Sequence, residues 1–510
     1  MAVDHRPRTP APLLVPPGRK GGPAAARPHR AAVVLIPVAL TLVLGLWGLR
    51  RQGTMWRDEA VTYDMAQRGP AALLHVLDDY DVVHGLYYLL MQGVFAVCGD
   101  GLVPLRLPSV LAMAAAAAGV AVLGRMLAGP GTGLAAGAVF ALLPDVQRYA
   151  QEGRSYALVC AAVVWATVLF VRAAHERRTG PWAGYAALSL AACLLHEFAF
   201  LAVLAHGVAA LAARVPGGVL RAWGAAAGGV AVGLAPPAVI SAGQTEQVAW
   251  IGPPDALTWL GVVAVAALAL ACAATVGGPV ASVALPLALV PTAVLLLLSP
   301  VASLFVDRYV VYSDAGLALL TGAALHSAWR RGVPLRAGAA AVAAVVAATL
   351  LVPVGQHLRS PESRQDDLAA VAAAVRASSA PGDGLLFAPA RRRVWTLSGA
   401  PAYRGLTDLA LRADPRASHT LYGTELPPAA IRARMLDARR IIVLHDPPGQ
   451  PLDDSRAERV KRATLRTDFE RCATTGVHGA RVTLYARPGA CAGTGPRVVS
   501  GRAGTAGGGG

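Results

Sequence analysis

Long apolar blocks alternate with short polar connections from residue 31 to residue 354. Runs such as AAVVLIPVALTLVLGLWGL (31–49) and GVVAVAALALACAATVGG (261–278) approach the ~20 residues that cross a hydrocarbon core. The pattern predicts about eleven membrane-spanning helices, near 31–49, 106–127, 131–146, 155–172, 182–196, 198–213, 223–241, 257–276, 279–298, 314–329 and 337–354. The fifth and sixth are short, with HEF (196–198) as the turn between them. LYYLLMQGVFAVCG (86–99) is apolar but short for a span, so it reads as a helix lying in the membrane interface.

The period changes after residue 355. DDLAAVAAAVRAS, PAAIRARMLDA and RAERVKRATL have helical spacing, while GLLFAP, RRIIVLHD and ARVTLYARP are strand-like. The expected fold is therefore mostly α: a polytopic transmembrane helix bundle with a small C-terminal α/β domain. Four regions are expected. Residues 1–30 form a disordered basic tail, and 31–355 the transmembrane domain, with a long first outer loop at 50–105. Residues 356–495 form the α/β domain, and 496–510 a flexible Gly-rich tail.

Composition agrees with a membrane protein. The 510 residues are 55% hydrophobic and only 15% charged, less charge than a soluble chain of this length carries. The net charge of +16 comes almost wholly from arginine, since Lys20 and Lys461 are the only lysines. Much of that arginine falls in short loops, not in a cluster on a soluble face, which argues against nucleic-acid binding. Basic loops mark the cytoplasmic side: the N-terminus, Arg125, RAAHERRTG (172–180), Arg214 with Arg221, and WRRGVPLR (329–336). An odd number of spans then puts the α/β domain outside the cell membrane. The six cysteines show no metal-type spacing. Cys472 and Cys491 flank an expected hairpin in that outer domain and are candidates for a disulfide.

The opposite connections carry acids and aromatics as well as arginine. WRDEAVTY (56–63), DVVHGLYYLLM (81–91), LRLPSVLAMA (105–114), RYAQEGRSYAL (148–158) and DRYVVYS (307–313) occur in that order. In order and spacing this set resembles the GT-C membrane glycosyltransferases, especially the family 39 and RgtA/B/C/D-like branch, over roughly residues 31–330. The resemblance implies transfer of a sugar, mannose favoured, from a polyprenyl-phosphate donor on the outer face, with inversion at the anomeric carbon. The acceptor would be a lipid, a glycan or a protein, and membrane lipids would surround the bundle. Many relatives carry Pro-Pro before the Leu-Tyr pair, where this chain has Val83–His84–Gly85.

The chemistry asks for the same parts. A hydroxyl acceptor is a weak nucleophile, so a carboxylate must take its proton as the bond forms. The resemblance maps that base to Asp58, with Glu59 orienting the acceptor or keeping Asp58 ionised through Arg57. The leaving lipid phosphate calls for guanidinium forks, and Arg148, Arg154 and Arg308 are the outer-face candidates. Glu152, four residues after Arg148, would share a helix face with it. His84, Tyr87, Tyr88, Tyr149, His196, Trp250 and Tyr309 would line the substrate. Nothing in the residues forces a cofactor, and Asp58, Glu59 and His84 are compatible with a divalent metal ion.

Plainer readings stand beside these. Asp58 can cap a helix starting at Glu59. The arginines can anchor to headgroups, Arg308 can pair locally with Asp307, and the aromatics can form an interfacial belt. The alternative functions are a polytopic transporter or flippase of lipid-linked or small polar substrates, and an inactive GT-C relative.

Overall fold

A computed structural model describes residues 27–491 except 177–178, 245–250, 302, 332–350 and 398. The chain forms two compact units, one of residues 1–49 and 81–358, the other of 50–80 and 359–510. The long first outer loop thus begins in the same unit as the α/β domain.

In the first unit, ten of the eleven expected spans fall on helices: α1 (Arg27–Leu46), α5 (Leu102–Ala128), α6 (Pro130–Leu142), α8 (Tyr156–Glu176), α9 (Thr179–Leu195), α10 (Phe200–Ala212), α11 (Gly217–Gly243), α12 (Ala256–Val276), α13 (Gly278–Leu298) and α14 (Ser313–Arg330). Five of these, α5, α8, α11, α12 and α13, are long and apolar enough to cross a membrane. The eleventh expected span, 337–354, lies mostly outside the described residues. The HEF turn is a 3₁₀ turn at Glu197–Ala199, and 86–99 is the helix α4 (Gly85–Cys98).

The expected span at 131–146 is shorter in the structure. Helix α6 stops at Leu142, Leu143 is extended, and Pro144 opens a separate short helix, α7 (Pro144–Ala150). A proline pushes its predecessor out of the helical region and suits the first position of a new helix. Small residues set the packing of α14. A Cβ on Gly322 would lie 2.4 Å from the Ala136 backbone on α6, and one on Gly316 would lie 2.5 Å from the carbonyl of Ala284 on α13. Only glycine lets these backbones approach so closely.

In the second unit, residues 50–80 supply α2 (Arg57–Gln67) and α3 (Pro70–Asp79). The rest is an α/β domain with α15 (Leu368–Ser378), α16 (Pro428–Asp437) and α17 (Arg456–Asp468). Its strands are β1 (Gly384–Ala388), β2 (Thr407–Asp408), β3 (Leu411–Ala413), β4 (Thr424–Glu425), β5 (Arg440–His445), β6 (Glu470–Val477) and β7 (Ala480–Ala486). The main sheet has the order β2-β1-β5-β7-β6. Strand β1 pairs parallel with both β2 and β5, while β7 runs antiparallel to β5 and β6. Central β5 is apolar along Ile441–Leu444 and buried there, as a strand covered on both faces requires. Leu386, Ile431, Met435, Leu465 and Phe469 close the core around it. Cys472 and Cys491 are joined by a disulfide, with Cα atoms 5.4 Å apart.

Candidate active site

The helical unit gathers most of the expected site residues around one carboxylate that was not among them. Asp81 stands just before α4 in the left-handed region, φ 57° and ψ 37°. Aspartate tolerates this region better than most residues. Its Oδ1 accepts from Nδ1–H of His84 at 2.7 Å, and its Oδ2 accepts from the Tyr88 hydroxyl. Tyr88 in turn accepts from Arg154 Nη1 at 3.0 Å, and Arg154 Nη2 lies 3.7 Å from Asp81 Oδ2. Because an ionised carboxylate only accepts, His84 Nδ1 must carry the proton. The 3.3 Å approach of Arg154 Nη2 to that nitrogen is then packing, not a hydrogen bond. Burial works to raise the Asp81 pKa, but His84, Arg154 and Tyr88 outweigh it and hold the carboxyl well below the usual range.

An aromatic wall adjoins this cluster. The His196 ring lies 5.5 Å from His84, 5.7 Å from Tyr156 and 4.6 Å from Tyr309. Arg308 is buried and donates from Nε to the Tyr156 hydroxyl at 3.1 Å. Its guanidinium also lies over the Tyr309 ring, 5.6 Å from the centroid. Among the described residues, Asp307 accepts only from the backbone N–H of Arg308, and the burial of the arginine side chain against Tyr156 is not that of a surface pair. Tyr149 meets Tyr156 edge to face, and the Arg148 guanidinium lies over the Tyr149 ring, 5.5 Å from its centroid. Tyr87 is fully buried beside Tyr88. Among the described residues, the buried Nδ1 of His196 has no hydrogen-bond partner.

Glu152 does not share a helix face with Arg148, because α7 ends at Ala150. It is buried just beyond that end, where its carbonyl accepts from Ser109 Oγ at 2.6 Å. Trp250 lies outside the described residues.

Asp58 and Glu59 belong to the second unit. Helix α2 starts at Arg57 with Trp56 at its N-cap, so Asp58 lies in the first turn and does not cap. The capping acceptor is Asp366, whose Oδ1 takes the backbone N–H of Arg57 at 2.8 Å and whose Oδ2 takes Trp395 Nε1 at 3.0 Å. The neighbouring acids then part. Glu59 is fully buried and paired with Arg51 at 3.2 Å, whereas the Asp58 side chain is 18% exposed, with Arg57 Nε at 3.6 Å. No group of three or more metal-ligating side chains with suitable geometry occurs among the described residues.

Asp81 lies within DVVHGLYYLLM, where its residue type alone marks no role. The available signal was its spacing. Asp81, His84 and Tyr88 stand at i, i+3 and i+7, the spacing of one helical face.

Known proteins resemble this chain in part of its sequence and in its fold. Residues 86–240 match the family described as dolichyl-phosphate-mannose-protein mannosyltransferase. The structure of ArnT from Cupriavidus metallidurans in the apo state superposes with a TM-score of 0.57 at 13% identity, covering 91% of this chain and 99% of that one. The same protein bound to undecaprenyl phosphate gives 0.55 at 13% identity, over 90% and 98%. No curated protein sequence matches the chain. The chain thus shares an ArnT-like fold along nine-tenths of its length, and within it a segment similar to the dolichyl-phosphate-mannose-protein mannosyltransferase family.

Proposed function

We propose that the protein transfers a sugar from a polyprenyl-phosphate donor to an acceptor hydroxyl on the outer face of the cell membrane, with inversion. The observation that carries this reading is the Asp81–His84–Tyr88–Arg154 cluster with Arg308 and its aromatic wall. Two buried guanidiniums, each oriented by a tyrosine hydroxyl, suit an oxyanion that leaves with a lipid. The unpartnered imidazole nitrogen of His196 suits a sugar hydroxyl or a phosphate oxygen. That the ArnT of similar fold has been seen with undecaprenyl phosphate supports the same class of carrier. The matched family's description favours mannose as the sugar.

The step is a single displacement. The acceptor oxygen attacks the anomeric carbon, the bond from that carbon to the phosphate oxygen breaks, and the polyprenyl phosphate leaves with the electron pair. Asp58 is the proposed base that receives the acceptor proton. A retaining route would typically need a second carboxylate as nucleophile, and Glu59 is committed to Arg51. A disulfide in the α/β domain suits an oxidising compartment and supports an outer location for that domain. The family match and the ArnT-like fold favour sugar transfer over the transporter alternative. Purified protein offered a panel of polyprenyl-phosphate sugars, with the products read by mass, tests the reading. Accumulation of free polyprenyl phosphate together with a glycosylated acceptor supports it. No turnover across the panel leaves an inactive relative.

A further inference from the structure

The main sheet of the α/β domain changes direction between two strands. From β1 the chain first goes to β2 on one side, then returns to β5 on the other. In open α/β sheets ligands bind in the crevice outside the carboxyl ends of the strands at such a switch. A cavity of about 150 Å³ lies there, lined by Ala388 and Pro389 at the end of β1 and by His445 and Asp446 at the end of β5. Ala388, His445 and Arg481 form one row across β1, β5 and β7, each in register with the next.

The polar groups of this cavity are not equally free. Both oxygens of Asp446 are taken by Arg391 and Arg392. Asp453 accepts from the amide of Ser455 at 2.8 Å. Arg481 donates from Nε to the Asp446 carbonyl at 3.2 Å, and among the described residues its two terminal nitrogens have no partner. Burial, and then the nearby Arg481, push His445 down to about 4. Its neutral ring thus offers one donor and one acceptor at neutral pH. The cavity is therefore rich in donors, and its acids are already engaged. Pro447, Pro448, Pro451 and Leu452 give it an apolar side, and Gln450 and Arg462 add further polar groups to the lining.

We propose that the α/β domain holds a second binding site, for an anionic saccharide, with the oxyanion on the free fork of Arg481 and the sugar ring against the proline-rich loop. Gln450 and His445, both in the lining, take the hydroxyls. The site stands on residues separate from the Asp81 cluster and from Asp58, so it does not depend on the proposed transfer reaction.

Titration calorimetry on the full chain in detergent micelles tests this, with glucose 1-phosphate as probe and glucose and inorganic phosphate as comparators. The expected result is saturable binding of glucose 1-phosphate, with both comparators weaker. Arg481→Gln removes the fork and Gln450→Trp fills the mouth; each should weaken binding by at least about tenfold. Arg432→Gln, a charge-matched change on α16, and Arg154→Ala in the helical unit should both keep this binding event. If Arg481→Gln fails to fold, Gln450→Trp carries the test alone. Absence of saturable binding by the wild type, or wild-type affinity in Gln450→Trp, would overturn the site. Equal affinity for glucose or for inorganic phosphate would overturn the ligand class. Loss in Arg154→Ala alone would move the anion to the helical unit and also overturn it.

Discussion

Asp81 and Arg154 are joined through one phenol: Tyr88 donates to the carboxylate and accepts from the guanidinium at 3.0 Å. The arginine therefore arrives at the site already oriented, with Nη2 also held 3.7 Å from Asp81 Oδ2. Three side chains share the restraint, so their deletions should not be additive. Arg154→Ala is expected to cut kcat/KM for the lipid-linked donor by roughly 10²–10³-fold. Arg154→Lys should restore little of this, because an ammonium does not reproduce the fork. Tyr88→Phe combined with Arg154→Ala should cost scarcely more than Arg154→Ala alone. Initial rates against donor concentration decide it; a fully additive pair would show that Tyr88 does not act through Arg154.

The two adjacent acids of α2 should fail in different ways. Asp58→Asn keeps the side chain's size and removes the proposed base, so turnover should fall by roughly 10²–10⁴-fold with donor binding nearly intact. Glu59→Gln instead leaves Arg51 charged and buried, at a cost of about 3–5 kcal/mol. It should appear first as a lower thermal midpoint and reduced yield. Measuring rate per folded molecule separates the two. Wild-type turnover in Asp58→Asn would remove that residue from the mechanism.

The Cys472–Cys491 disulfide closes a loop across 19 positions, worth about 3 kcal/mol. Alkylation without reductant should leave both residues unmodified by mass, and Cys491→Ser should lower the midpoint of the α/β domain. Topology is best tested elsewhere in that domain. Ser455 caps α17 through its hydroxyl, so a label there would weaken the helix. Ala429 on α16 is exposed. In a Cys98→Ser background, which removes an exposed free thiol, Ala429→Cys should react with an impermeant maleimide on intact cells. Reaction only after lysis would place the domain inside.

His445 predicts an acid sensitivity of the α/β domain. Its folded pKa, about 4, lies below the ordinary value near 6.5, so protonation favours the unfolded state. The contribution is fully present above pH 6.5 and is lost as pH falls from there toward 4. The thermal midpoint should therefore decline across that window, and His445→Gln should flatten the decline. An equally steep decline in the variant would assign the sensitivity to other groups.

The spans were legible because apolar length alone defines them, as was the α/β alternation after residue 355. The break at Pro144 was also written in the chain, but the apolar run continues through Val146 and hid it. Residues 57–67 gave no sign that their helix belongs with the C-terminal domain, since its capping acceptor lies far along the chain. Among the site residues, arginines and aromatics stood out by type. Asp81 did not, because its importance comes from a left-handed backbone and three partners that only folding assembles.

The carboxylate of Asp366 that completes the start of α2 lies 309 positions after the amide it receives. In order of synthesis, the segment bearing Asp58 emerges early and its finishing group emerges late, after the described spans of the helical unit. A chain halted partway would therefore carry the spans and the motif without the contact that completes this helix.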